Sequence, residues 1–170
     1  MQASKKVQKY GFLLMPSFSM LAFSSAIETR HMANWVSGKD LYQFCTLGKN
    51  TKVVLSNSGV ATTTEYTLDD APKDLDALFI CGASTAGQDD DLSLDAWLLS
   101  CSKRGIALAG ICTGSHILAR AGLLDGYRAT IHWGDIASLR EAFPSVIVSS
   151  HLFEVDKDRY TCSGGSAAMD

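Results

Sequence analysis

The sequence is short of the features that announce an extended or specialised surface. It has no run near the roughly 18 apolar residues that a membrane span needs, so a membrane partner is not expected. The apolar stretch after Lys5, Lys6 and Lys9 (Phe12, Leu13, Leu14, Met15) is cut by Pro16 and Ser17, too soon for the core of a secretion signal. There is no surplus of one charge: 15 basic against 18 acidic residues leave a net charge of -3 and a pI of about 5.7. A nucleic-acid or anionic-membrane surface is therefore not advertised. The five cysteines (45, 81, 101, 112 and 162) contain no CxxC and no zinc-finger spacing, so no metal site is expected. No repeat, linker or low-complexity segment breaks the chain, and no cofactor motif appears.

What is present is the material of one globular unit. The 170 residues are 46% apolar and 19% charged, enough to build a core. Reduced thiols in a cytoplasmic compartment are the simplest expectation for such cysteine usage.

Short apolar runs alternate with stretches of helical period. Tyr10–Met15 reads as a strand buried on both faces. Ser19 is placed to cap a helix carrying Met20, Phe23 and Ile27, running to about Trp35 and stopping near Gly38. Leu41–Leu47 reads as a strand, and Lys52–Leu55 with Val60–Thr64 as a hairpin. Asp76–Cys81 is a central strand, followed by a helix that turns Leu94, Trp97 and Leu98 inward. The acidic run Asp89–Asp91 would sit at that helix's N-terminus.

Ile106–Ile111 is another buried strand, then a helix runs through His116–Arg120 to Gly122. Tyr127–Ile131, Val146–Val148, Leu152–Val155 and Tyr160–Cys162 read as further short strands. Trp133–Ala142 reads as helical, and Gly164–Ala168 as the first turn of another helix. Trp35 and Trp97 fall at core spacing. The alternation predicts an α/β fold with a mostly parallel sheet and helices on both faces.

The chemically informative segment is Gly110-Ile111-Cys112-Thr113-Gly114. A G-x-C-x-G between a buried strand and a helix makes a tight elbow that holds the central side chain above the sheet. The helix N-terminus beneath it would favour the thiolate and lower the Cys112 pKa. His132-Trp133 follow a strand expected to lie beside the elbow, so His132 is the candidate base for Cys112. Ligands of open α/β sheets bind beyond the carboxyl ends of the strands. Phe18, Gly82, Ala83, Ser84, Cys112, Thr113, His132 and Trp133 all fall there and form the candidate ligand site. The face of Trp133 would suit a cation. His116 is expected to pack against the sheet, and His31 and His151 to serve at the surface or in capping.

These residues carry a resemblance. The elbow GICTGS, the run ILARAGLLDGYRATIHW and the closing RYTCSGG resemble the sensor domain of certain AraC-type transcription regulators, and GFLLMPSFSMLAFSSAIE and SNSGV fit the same group. In those proteins a class I glutamine amidotransferase-like (ThiJ/PfpI-type) domain precedes a pair of helix-turn-helix motifs. The resemblance spans almost the whole chain, residues 1–170.

It implies a flavodoxin-like three-layer sandwich, a homodimer, and sensing of small nitrogenous metabolites such as arginine, glycine betaine or carnitine. It also implies that the domain's last helix continues beyond Asp170 and that DNA is contacted only through a helix-turn-helix domain absent from this chain. Enzymes of the wider superfamily hold a carboxylate near the elbow cysteine, but Ala22 stands at or near that position. Gly134 stands where related regulators often carry glutamate. With no carboxylate in sight to orient His132, a small-molecule receptor is favoured over an enzyme, and no catalytic residues are expected. The alternative is a cysteine hydrolase of ThiJ/PfpI type (amidase, peptidase or glyoxalase-like) that uses Cys112 and His132.

Overall fold

In chain order the polypeptide lays down β1 (Gln8–Leu14), α1 (Met20–Ser37), β2 (Tyr42–Gly48), β3 (Val53–Leu55), β4 (Ala61–Thr63) and β5 (Ala77–Cys81). These are followed by α2 (Leu92–Lys103), β6 (Ala107–Ile111), α3 (Gly114–Arg120), β7 (Arg128–Ala129) and α4 (Ile136–Ala142). The short strands β8 (Ile147–Val148), β9 (Phe153–Asp156) and β10 (Arg159–Cys162) complete the order. The computed structural model describes residues 6–82 and 91–165.

Six strands form the central sheet in the order β2-β1-β5-β6-β10-β9. All neighbours are parallel except β9, which returns antiparallel along β10 at the edge. The chain steps to one side of β1 and then to the other, so the point of reversal lies between β1 and β5.

Both faces of the sheet are apolar because the parallel strands are covered by helices. Phe12 and Leu14 of β1 point toward α1, where they meet Ala22 and Phe23 together with Cys81, Ile111 and Cys112. Leu13, Leu78, Ile80 and Leu108 point the other way, against Leu94 and Leu98 of α2, Ile117 and Leu118 of α3, and Leu139 of α4. The helices are therefore on both faces, and the three-layer α/β sandwich expected from the sequence is the observed one.

The helix punctuation is also as read. Ser19 Oγ accepts from the Ala22 N–H at 3.3 Å, and Gly38 closes α1 in the left-handed conformation at φ 62°. The Asp91 side chain caps α2 by accepting from the Leu94 N–H, and it is ion-paired with Lys49.

Two expectations fail. Trp35 is not a core residue: it is 72% exposed on the outer face of α1, because the sheet takes the helix's other side. Tyr127–Ile131 does not form a central strand beside the elbow either. Only Arg128–Ala129 pairs, and it pairs with β8 in a separate two-stranded ladder. Thr130 instead straps the segment onto β10 and the turn before β9: its N–H donates to Thr161 Oγ1 and its hydroxyl to the His151 carbonyl. The neighbour of β6 is β10.

Candidate functional site

The elbow is tight because three glycines let backbone touch backbone. A Cβ on Gly114 would fall 2.1 Å from the Ile80 carbonyl oxygen, and one on Gly110 would fall 2.6 Å from the Ser115 nitrogen. Gly82 presses on the same turn, 2.1 Å in the same sense from the Gly114 nitrogen. The start of α3 therefore rests directly on the ends of β5 and β6.

Cys112 bears the strain of this arrangement, with φ at 58°. A non-glycine residue held there costs on the order of 1–3 kcal/mol, and such outliers concentrate at functional sites.

The pKa of the Cys112 thiol is raised, contrary to the expectation of a lowered one. Cys112 is 9% exposed, and burial pushes its thiol above the ordinary cysteine value. The backbone N–H groups of Thr113 and Gly165 donate to the sulfur and work in the opposite direction, while Cys162 and Asp135 add to the rise. The helix behind the elbow has only seven residues, which gives it little dipole to set against desolvation.

The far wall of the turn comes from the chain after β10. The Cys112 N–H donates to the Cys162 carbonyl at 3.1 Å. Gly164, at φ 65°, lies so close that a Cβ there would be 2.5 Å from Cys112 Cβ. Beside it, a Cβ on Gly165 would sit 4.0 Å from His132 Cδ2. His132 thus reaches the elbow across Gly165 rather than from an adjacent strand.

A carboxylate also stands there, which corrects the expectation that none would orient the histidine. Asp135 Oδ2 is 3.3 Å from His132 Nδ1. The same Nδ1 accepts from the Gly134 N–H at 3.3 Å, capping the 3-10 turn Trp133–Asp135. The two contacts at Nδ1 make opposite demands: the Gly134 N–H needs an acceptor there, and the Asp135 carboxylate needs a donor.

The remaining candidates fall at different depths. Thr113 is buried and Gly82 is packed against the elbow, its N–H donating to the Ile111 carbonyl. Phe18 is wholly buried, edge-on to Phe23 at 5.6 Å. It supports the site only from the core that it shares with Cys112. Trp133 is 78% exposed, its ring 5.3 Å from that of His132. Ala83 and Ser84 lie outside the described residues.

His116 turns from the elbow to pack edge-on against Phe143 at 5.0 Å, and burial lowers its pKa. His31 is exposed, and His151 pairs with Glu154 at 2.8 Å. Among the described residues no group of three His, Cys, Asp or Glu side chains could hold a metal ion. No helix among them is long and apolar enough to cross a membrane.

Sequence reading missed Asp135 and the two glycines as parts of the site. The signal for the first was a carboxylate three residues after His132; for the second, a Gly-Gly pair directly after a strand.

Comparison with known proteins agrees with this geometry. The DJ-1/PfpI family matches residues 27–170. The HTH-type transcriptional regulator GbdR of Pseudomonas aeruginosa is 38% identical over 167 residues, which are 98% of this chain and 45% of the regulator. The regulator CdhR of the same species is 38% identical over 163 residues, covering 96% and 48% respectively. The chain thus spans about half the length of the curated relatives it matches. The crystal structure of an AraC family transcriptional regulator from Pseudomonas putida superposes with a TM-score of 0.84 at 33% identity, covering 95% of this chain and 86% of that one.

Proposed function

The chain belongs to the DJ-1/PfpI family, and from that premise we propose that it is the ligand-sensing part of an AraC-type transcription regulator, binding a small amine, amino acid or quaternary ammonium metabolite. The observation that carries the reading is the state of the elbow. Cys112 keeps the strained geometry of a nucleophile, yet burial raises its thiol above the ordinary cysteine value instead of lowering it. Walls without an activated nucleophile suit recognition better than turnover.

Trp133 supports the amine class, because an exposed indole beside His132 offers a π face to a cation. The regulators that the chain matches support the wider assignment. In this reading the domain works in the cytoplasm as a homodimer. The effector biases the dimer's arrangement, and DNA is contacted only through a helix-turn-helix segment elsewhere in the polypeptide.

Calorimetric titration with arginine, glycine betaine and carnitine tests it. Saturable binding of one of them, weakened in Trp133→Ala, is the expected result. No heat from any of them at millimolar concentration rejects the amine sensor. Cys112-dependent release of ammonia from an amide substrate would establish the cysteine hydrolase instead.

A further inference from the structure

β2 is an edge strand of the central sheet, and its register decides which backbone groups face outward. The Gln8 N–H donates to the Leu41 carbonyl at 2.9 Å. Odd-numbered residues of β2 therefore turn their N–H and carbonyl groups toward β1, and even-numbered residues turn theirs away from the sheet.

The chain itself engages both ends of this edge. The carboxamide of Asn34, on α1, embraces Tyr42: its Nδ2 donates to the Tyr42 carbonyl at 2.7 Å, and its Oδ1 accepts from the Tyr42 N–H at 3.0 Å. Further along, the Thr46 carbonyl accepts from the N–H groups of Glu65 and Tyr66, each at 3.1 Å, and the Gly48 N–H donates to the Tyr66 carbonyl at 2.9 Å. Phe44 lies between. Neither its outward N–H nor its outward carbonyl has a hydrogen-bond partner among the described residues. From Tyr42 to Thr46 the edge is about 13 Å long at the usual rise per residue. Closed at both ends, it is too short for an added strand of about five or six residues.

The gap opens into a cavity of about 430 Å³, a size suited to a small molecule. It stands at the amino ends of β1 and β5, at the opposite end of the sheet from the elbow. Cys45, Tyr66 and Leu75 line it, and Lys9, Glu65 and Asp74 supply its charges. Lys9 is paired with Asp74, whereas Glu65 forms no ion pair among the described residues. The field inside is negative: the Cys45 thiol is pushed up to about 11, first by burial and then by Glu65 and Asp74.

We propose that this cavity binds a small primary carboxamide that also carries an ammonium group. The amide pairs with the N–H and carbonyl of Phe44 as the Asn34 side chain pairs with those of Tyr42, and the ammonium group meets Glu65. A carboxamide offers one donor and one acceptor side by side, which a carboxylate or an ester does not.

The test uses the protein expressed from its complete reading frame, labelled with 15N-phenylalanine and titrated with L-leucinamide. The Phe44 amide resonance is identified by its loss in Phe44→Leu, a change that leaves the backbone groups in place. Saturable movement of that resonance is expected. L-Leucine methyl ester keeps the ammonium group and the carbonyl but has no N–H to donate, and should bind about tenfold more weakly. Glu65→Gln should weaken leucinamide binding about two- to fivefold. Trp133→Ala should leave it unchanged, which separates this site from the effector site proposed above. A Phe44 resonance that does not move at tens of millimolar leucinamide overturns the proposal. So does equal binding of the ester, or an affinity unchanged in Glu65→Gln. A response lost in Trp133→Ala overturns it as well and places the amide at the elbow.

Discussion

Cys112 shows how two local effects of opposite sign are decided by magnitude. Two N–H donors favour its thiolate, burial disfavours it, and burial wins. The rate of Cys112 alkylation by iodoacetamide is therefore expected to keep rising above pH 9; a plateau below pH 8 would show a thiol poised to react. Gly164 is the second sensitive residue. In Gly164→Ala a Cβ would meet Cys112 Cβ at 2.5 Å on a backbone with φ at 65°. Left-handed strain of about 1–2 kcal/mol and overpacking of about 1–3 kcal/mol together predict a loss of about 3 kcal/mol. In a domain of this size that lowers the Tm by about 6–12 °C, measurable by calorimetry. The elbow itself was legible, because Gly110 and Gly114 at that spacing have few other uses. The state of its thiol was not legible, since it depends on Gly164, Gly165 and Asp135, which reach Cys112 only through the tertiary fold.

At the scale of the element, the β9–β10 hairpin holds a charge network that is independent of the elbow. Glu154 is held down to about 2, first by the Ser149 hydroxyl and then by Arg128, with a smaller part from His151. Its value in the unfolded chain is near 4.5. Its contribution to stability is thus complete above about pH 4.5 and is lost as the pH falls toward 2. Urea unfolding of the protein and of Glu154→Gln is expected to differ at pH 6 and to converge by pH 2. A difference that persists unchanged at pH 2 would exclude the ionised carboxylate as its source. The α1 cap gives a simpler case: Ser19→Ala removes the acceptor for the Ala22 N–H and should cost about 1 kcal/mol of stability, read from the urea midpoint. Caps and helix ends could be read from Ser19 and Gly38 because their chemistry is local. The direction in which Trp35 points was not, since several residues of α1 are apolar and only the sheet decides which side is buried.

Across the whole molecule, alternating strands and helices were enough to give the class of fold, but not the order of strands in the sheet. Tyr127–Ile131 has the pattern of a buried strand, yet β10 occupies the place beside β6, because a parallel neighbour can be supplied by any later segment of suitable pattern. That order shapes the candidate site, since it brings Gly165 rather than the His132 strand against Cys112 and leaves Trp133 exposed beside His132. An effector held there should stabilise the folded domain: at about one hundred times its Kd the gain is about 2.7 kcal/mol. The Tm should then rise by about 5–11 °C for a domain of this length. If the indole face supplies the recognition, Trp133→Ala removes about 0.5–2 kcal/mol of binding, a weakening of about two- to thirtyfold, with little change in the Tm of the free protein because the ring is largely exposed. An unchanged affinity in that variant, with the thermal shift retained, would move the amine away from Trp133 and toward the buried end of the elbow.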